Sequence, residues 1–583
     1  MTPSNVRLVL GPPGTGKTTR LVQLLHDEID AGVPTEAIAF VTFTRAARQE
    51  VRERVERCFR LSPDDLPWFR TIHSAAYRLL GLRPGDVLAA EAWAQFAGRF
   101  GYRLTTDQCS DVEADILAPP LVTADDALRA LVQWSRNRRV SLDDALRQWR
   151  LHVPRSQAHV FAERLAAFRA EHALVDFPGM LERVLDEGHT PGGLVAFIDE
   201  AQDLSPLQIA VVESWFGAYA RTYIAGDDDQ AIYGFQGAEP KWLVSISQDC
   251  PTEILHRSFR IPSQVHRLAQ EVVQQNRVRV PKRYEPRAEE GTVLVLGADA
   301  ALSAVGDAES VFVLARNRVY LHAWASRLRD AGEPFVLEGA AGASSLGHPD
   351  VALAITSASH LRSGGVVSAE GLRAMLRFVP SRDSTLLPYG VKVRAERQRA
   401  PVARSELKAA WGLTRFLARL DETGPVHVLS RLRMKDRTYL ERLLSRHGKV
   451  PAPRFRLMTI HASKGREADV VVLVPNMART THDEYVGGGR AGEEGENRVA
   501  YVAVTRARQR LILVEPTTRR AFPYQRFLLR AERVVAAGCP HFQRSSAPNR
   551  CLHALDGGLC ALPGGFLCIA RFGEARPSRI DPP

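Results

Sequence analysis

Residues 11–18, GPPGTGKT, carry the spacing G-x-x-x-x-G-K-[ST] that a phosphate cradle needs. Gly11, Gly14 and Gly16 let successive backbone N–H groups curl around phosphate oxygens, with Pro12, Pro13 and Thr15 completing the loop. Lys17 would neutralise the β- and γ-phosphates, Thr18 would offer its hydroxyl to Mg²⁺, and Thr19 opens the helix behind them. A second chemical pair, Asp199 and Glu200, ends the apolar run LVAFIDE at 194–200. Asp199 would hold Mg²⁺, and Glu200 would take the proton of an attacking water as general base. An Asp-Glu pair by itself reads as solvated surface charge. Behind four apolar residues, in a chain that also carries a phosphate loop, the chemical reading is preferred. The chemistry expected is hydrolysis of a nucleoside triphosphate.

Strands must deliver these groups. VRLVL (6–10) runs directly into the phosphate loop, and the helical pattern TTRLVQLLHDEI follows it. Two sets of short apolar runs stand out. The first is 6–10, 37–43, 194–200 and 222–226; the second is 292–296, 311–315, 470–474 and 511–514. Continuous apolar runs of this length read as buried strands of parallel sheets. Arg/Glu-rich helical stretches such as RAARQEVRERVER (45–57) alternate with them, which predicts two α/β domains with parallel sheets. Helical periodicity fills most of 85–174, and mixed helical and Gly/Ser-rich sequence fills 340–430. At ~100–200 residues per domain, 583 residues predict about four domains. The expected division is 1–85 with 175–256, an insertion at 86–174, then 257–340 with 430–530, a short insertion at 341–429, and an unassigned tail at 531–583.

Composition narrows the partners. At 45% hydrophobic and 25% charged, the chain is ordinary globular sequence, which excludes collagen-like, coiled-coil and disordered classes. The net charge is +11, carried by 69 arginines and eight lysines. An Arg-rich basic chain predicts an anionic partner, nucleic acid first; genome base composition is the bland alternative. Lys17 is the single lysine before Lys241, and it stands where a compact ammonium is needed. No apolar run approaches the ~18–20 residues that span a bilayer, and the first residues lack signal-peptide features. A soluble, cytoplasmic protein without membrane partners is expected. Cys58, Cys109 and Cys250 are scattered, as reduced thiols are. Cys539, Cys551, Cys560 and Cys568, with His541 and His553, crowd the tail, but their spacings are not the close pairs of zinc modules. A weakly packed tail is preferred to a zinc site.

The remaining motifs form a series. In order they are VTFTRAARQEV (41–51), RTIHSAAYRLL (70–80), VDFPGML (175–181), DEAQDLSPLQ (199–208), GDDDQAIYGFQGA (226–238), HRSFRIPSQV (256–265), LMTIHASKGREADVVVL (457–473) and ENRVAYVAVTRARQRLIL (496–513). This series resembles superfamily 1 DNA helicases of the UvrD/Rep/PcrA class over most of the chain. The resemblance implies two RecA-like P-loop domains, 1A and 2A, with ATP and Mg²⁺ between them. It implies mainly helical insertions 1B and 2B, 3′→5′ movement on single-stranded DNA, and duplex unwinding at single/double-strand junctions.

The resemblance also implies roles. Gln230 would sense the γ-phosphate, and Gln202 would orient water beside Glu200. Arg260 and Arg506 would reach the γ-phosphate from 2A. Glu467 would lie near the ribose, and Phe259 would stack on adenine where the family commonly has Tyr. Phe43, Tyr233 and Phe235 would stack on bases, although core packing is the alternative for each. Thr42, Thr44, His73, Ser74, Thr459 and His461 would hold phosphates and sugars. In 1B, Arg136, Arg138, Arg139, Arg147 and Arg150 with Trp134 and Trp149 read equally as a DNA patch or a solvated face. Three departures stand out. No adenine-reading Gln precedes the phosphate loop, 2B is short, and Phe235 stands where Trp is usual. Two rival readings stay open: a translocase that displaces proteins with little unwinding, and an ATP-clamped DNA-binding scaffold.

Overall fold

The computed structural model describes residues 4–42, 45–59, 65–105, 123–149, 153–338, 346, 350–380 and 386–528. Six strands build the first sheet: β1 (Val6–Leu10), β2 (Ile38–Thr42), β3 (Phe69–Thr71), β4 (Val195–Ile198), β5 (Arg221–Gly226) and β6 (Thr252–Ile254). Their order is β3-β2-β4-β5-β1-β6, and every pairing is parallel. Strands β2 and β4 are buried along their whole length, which is why they read as unbroken apolar runs.

The second sheet repeats the plan. Its strands are β7 (Thr292–Leu296), β8 (Val311–Ala315) and β9 (Phe335–Leu337), resumed after an insertion. That insertion holds the two-residue strands β10 (Val366–Val367) and β11 (Val402–Ala403), which pair antiparallel. Then come β12 (Phe455–Thr459), β13 (Ala468–Val474) and β14 (Ala507–Val514), in the parallel order β7-β14-β13-β8-β12-β9.

All eight apolar runs are strands, and the two large sheets hold four further strands that show no such run. β3, β6 and β9 have three residues each, too short to show a period. In β12 the exposed Arg456 breaks the apolar run.

Both insertions are helical and carry their own cores. The first holds helices Ala90–Phe100, Ala124–Asn137, Leu142–Gln148 and Arg155–Glu171, packed on Trp93, Phe96, Leu131, Phe161 and Phe168. A parallel bridge between Val87 and Val175 closes its neck. The second packs Ile355, Leu372, Met375, Phe416 and Leu420 between helices that run from Asp350–Arg362 to Met434–His447. The last of these is tied to the second sheet's side, where Tyr439 Oη donates to the Glu333 carbonyl at 2.8 Å.

The arginines of the 1B patch are mostly engaged. Arg136 bonds Asp176 and Glu182 at 2.5 Å, Arg138 bonds Glu239 at 2.9 Å, and Arg147 pairs with Asp144. Trp134 and Trp149 meet edge to face at 5.6 Å. The helix-face reading is the one this geometry favours. Arg150 and the Cys/His-rich tail lie outside the described residues. Among the described residues, no helix is long and apolar enough to cross a membrane.

One hydrophobic cluster joins the two sheets. It runs from Leu8 and Ile198 through Val265 and Leu268, on helix Ser263–Val273, to Leu314, Val471, Val499 and Val502. Helix Gly489–Val504 reaches the loop after β5, where Arg498 Nε donates to the Asp228 carbonyl at 3.0 Å.

Candidate functional site

Helix Lys17–Asp30 starts at Gly16, whose φ of 84° turns the chain sharply, and no side chain caps it. Its first N–H groups are thus available to an anion. Lys17 Nζ folds back over the loop and donates to the Gly11 carbonyl at 2.8 Å. Gly14 is required twice: its φ is +73°, and a Cβ there would lie 2.4 Å from the Arg260 Cβ. That closeness reflects a contact absent from the sequence reading. Ser258 Oγ, fully buried, donates to the Pro13 carbonyl at 2.8 Å, and the Phe259 N–H donates to the Gly14 carbonyl at 2.8 Å. The segment carrying Arg260 is therefore laid directly on the phosphate loop.

Beyond β4 the chain delivers Asp199 and Glu200. Thr18 Oγ1 donates to Asp199 Oδ2 at 3.1 Å. Burial, and then the neighbouring Glu200, push the Asp199 carboxyl up to about 7, against the pull of Lys17. Glu200 has a left-handed backbone, φ 56°, which costs a non-glycine residue roughly 1–2 kcal/mol. Burial would also raise Glu200, but Lys464, Lys17, the Gln202 amide and Arg506 outweigh it and hold the carboxyl below its usual range. Adjacent carboxylates are thus shifted in opposite directions, Asp199 up and Glu200 down. Gln202 Nε2 donates to Glu200 Oε2 at 2.5 Å, while its Oε1 accepts from the Asp227 N–H at 3.0 Å. Thr18 Oγ1 and Asp199 Oδ2 are hard oxygen donors side by side, and Asp199 is buried without a bonded cation among the described residues. That donor set fits Mg²⁺.

Residues of the second core meet these groups. Lys464 bonds Asp203, donates to the Gln230 carbonyl at 2.8 Å and lies 3.9 Å from Glu200 Oε2. Burial pushes the Asp203 carboxyl up to about 7 even against Lys464. Arg506 is 1% exposed; burial, and then Arg260, lower its guanidinium to about 9. Its Nη2 donates to Gln230 Oε1 at 3.2 Å, and Gln230 Nε2 donates to Asp227 Oδ2 at 2.6 Å. Arg260 is paired with Glu467, whose other oxygen lies 3.7 Å from Arg508. Phe259 is 69% exposed beside the loop, with the Arg257 guanidinium 5.7 Å from its ring. Asp203 and Lys464 carried no assigned role in the sequence. One signal did exist: Lys464 is one of few lysines in an arginine-rich chain.

Comparison with known proteins places this constellation. The family described as UvrD/REP helicase N-terminal domain matches residues 1–251, and the UvrD-like helicase C-terminal domain matches residues 431–516. The chain belongs to the UvrD/REP helicase family. "ATP-dependent DNA helicase UvrD2" of Mycobacterium tuberculosis is 26% identical over 561 residues, covering 87% of this chain and 76% of that protein. "Putative ATP-dependent DNA helicase YjcD" of Bacillus subtilis is 25% identical over 610 residues, covering 88% and 77%. "ATP-dependent DNA helicase PcrA" of Staphylococcus aureus is 26% identical over 292 residues, covering 47% and 39%.

In this UvrD/REP protein the candidate DNA residues follow the strand ends of both sheets. Thr42, His73 and Ser74 are buried at the ends of β2 and β3. His73 meets Phe177 edge-on at 5.6 Å, and burial pushes its imidazole down to about 4. Ser74 Oγ accepts from Arg70 at 3.1 Å. Thr459 Oγ1 accepts from the Ala462 N–H at 3.3 Å. Phe235 is 37% exposed and meets the His461 ring edge-on at 5.2 Å. His461 Nε2 is buried with no bonded partner among the described residues, and burial holds its ring well below the usual histidine range. Tyr233 departs from the expectation of an open stacking ring. It is 5% exposed in the shared core, its hydroxyl donates to the His461 carbonyl at 3.5 Å, and Lys464 Nζ lies 5.1 Å from its ring. Core packing claims Tyr233 in this arrangement, leaving Phe235 as the open aromatic. Phe43 and Thr44 lie outside the described residues.

Proposed function

We propose that this chain is an ATP-dependent DNA helicase that moves 3′→5′ on single-stranded DNA and unwinds duplex at junctions. The observation that carries the reading is the Arg506–Gln230 bond, which joins the second core to the hydrolytic groups of the first. In this reading 1A comprises 1–85 and 175–256, and 2A comprises 257–340 and 430–530, with 1B and 2B inserted.

Bound phosphate would draw Lys17 off the Gly11 carbonyl, because a phosphate anion is the stronger partner for an ammonium. Thr18 and Asp199 would hold Mg²⁺, which supplies charge neutralisation on the phosphate oxygens. Glu200, ionised, would accept the proton of the attacking water, and Gln202 would orient that water. Arg260 starts against Gly14, held by Glu467, and would exchange that partner for the γ-phosphate. Arg506 and Gln230 would register whether the γ-phosphate is present. Phe235 would stack on a base, worth ~1–3 kcal/mol and tolerant of sequence. Alternation between a closed and a relaxed cleft would move the strand.

The test is ATP hydrolysis with and without single-stranded DNA, together with unwinding of duplexes bearing 3′ or 5′ tails. Lys17→Ala and Glu200→Gln are expected to remove DNA-stimulated turnover, Glu200→Gln by ~10²–10⁴-fold with nucleotide binding retained. Persistence of turnover in either variant overturns the site. Unwinding from 5′ tails alone overturns the polarity, and protein displacement without strand separation favours the translocase reading.

A further inference from the structure

Gln230 is held by Asp227, and Asp227 belongs to a run of three carboxylates. Asp227, Asp228 and Asp229 are each at most 1% exposed, and their nearest oxygens lie within 4.8 Å of one another. Three such groups in a dry setting need cations. The cations come from further along the chain. Lys282 Nζ, on a side chain 1% exposed, bonds Asp228 and lies 3.2 Å from Asp227 Oδ1 and 3.1 Å from Asp229 Oδ2. Arg279 grips Asp229 through two bonds of 2.9 and 2.7 Å. The Val280 N–H donates to Asp228 Oδ2 at 2.9 Å, and Arg498 Nε donates to the Asp228 carbonyl at 3.0 Å. An ammonium therefore occupies the place a metal ion would need.

The consequence lies in how Asp227 divides its oxygens. Oδ1 faces Lys282, and Oδ2 accepts from Gln230 Nε2. With Nε2 committed there, Gln230 Oε1 points to Arg506. Lys282 and Arg279 sit between helix Ser263–Val273 and β7, on the path into the second core. The same path is anchored to helix Gly489–Val504, where the Arg277 N–H donates to Glu494 Oε1 at 3.0 Å. The loop after β5, although part of the first sheet, is thus bolted to residues that lead into the second.

We propose that Lys282 is a positioning residue for hydrolysis: it holds Asp227, which orients the Gln230 amide toward Arg506 and makes the loop after β5 answer to the second core. The proposal rests on the reading above that Gln230 and Arg506 act on the γ-phosphate.

A double-mutant cycle tests it, using full-length wild type, Lys282→Met, Gln230→Ala and the pair. The readouts are kcat and KM for ATP with saturating single-stranded DNA. Lys282→Met is expected to lower kcat by about tenfold or more while KM stays within about threefold, and to add nothing in the Gln230→Ala background. Additive losses overturn the proposal, because they mean Lys282 does not act through Gln230. Should Lys282→Met fail to fold, Lys282→Met with Asp228→Asn removes one anion along with the cation and leaves Asp227 without the ammonium that holds it. That protein is expected to fold and still show low kcat, non-additive with Gln230→Ala; wild-type kcat overturns the proposal. A wild type without DNA-stimulated turnover sinks the helicase reading and this inference with it. An active wild type with an additive cycle sinks Lys282 alone.

Discussion

Two acidic clusters sit at the carboxyl ends of neighbouring strands. Asp199 and Glu200 follow β4; Asp227, Asp228 and Asp229 follow β5. The aspartates of both are buried, yet their environments differ. Lys282 and Arg279 reach into the second cluster and bond its carboxylates. Asp199 has a hydroxyl, Thr18, and a backbone N–H, with no bonded cation among the described residues. One cluster is tied by Lys282 and Arg279 and is a structural joint. At the other, Lys464 lies near Glu200 while the Asp199 carboxyl bonds no cation among the described residues, at the mouth of a phosphate loop where a metal-bound triphosphate would bring one. Residue type does not separate the two; the supply of countercharge does.

That contrast can be broken in several ways. The largest effect is expected for Asp199→Asn, which should lower DNA-stimulated kcat by about 10³-fold, near 4 kcal/mol. Its denaturation midpoint should not fall, because a buried carboxyl without a bonded cation is removed. A marked loss of stability there would erase the distinction. Asp229→Asn should do the reverse, costing about 3 kcal/mol in urea unfolding because Arg279 and Lys282 lose a buried partner. An unchanged midpoint would show that the second cluster is no joint.

His73 extends the contrast to a buried group with no counter-ion among the described residues. Its ordinary pKa is near 6.5, and burial takes it to about 4. The unfolded chain therefore binds this proton first. Its contribution is whole above pH 6.5 and falls as the pH drops toward 4, by roughly 2 kcal/mol between pH 6.5 and 5. Urea midpoints for wild type and His73→Gln across that window should diverge; parallel curves would break the prediction. The smallest effect is expected at Ser258→Ala, about 1 kcal/mol for the lost bond to Pro13, with weaker nucleotide binding because the Arg260 segment is less firmly seated. Unaltered nucleotide affinity would detach Ser258 from the site.

Legibility in the sequence followed the range of each interaction. Eight strands were visible as continuous apolar runs, the pattern that burial in a parallel sheet leaves. β3, β6 and β9 were not, because three residues carry no period, and β12 hides behind Arg456. The phosphate loop could be read because its glycines, Lys17 and Thr18 are consecutive. Tyr233 was expected at an open DNA surface, and the structure packs it in the core between Lys464 and His461. Nothing local distinguishes its ring from that of Phe235 two residues on.

By itself the sequence determined the two α/β cores, the phosphate loop and the Asp199–Glu200 pair, since each depends on spacing within one short segment. Tertiary structure alone decided which charges answer which. Lys464 finds Asp203 across 261 positions, Arg506 finds Gln230 across 276, and Lys282 settles among three aspartates more than 50 positions away. The physical reason is that burial makes an unpaired charge costly, so the fold must bring a partner from wherever the chain can supply one.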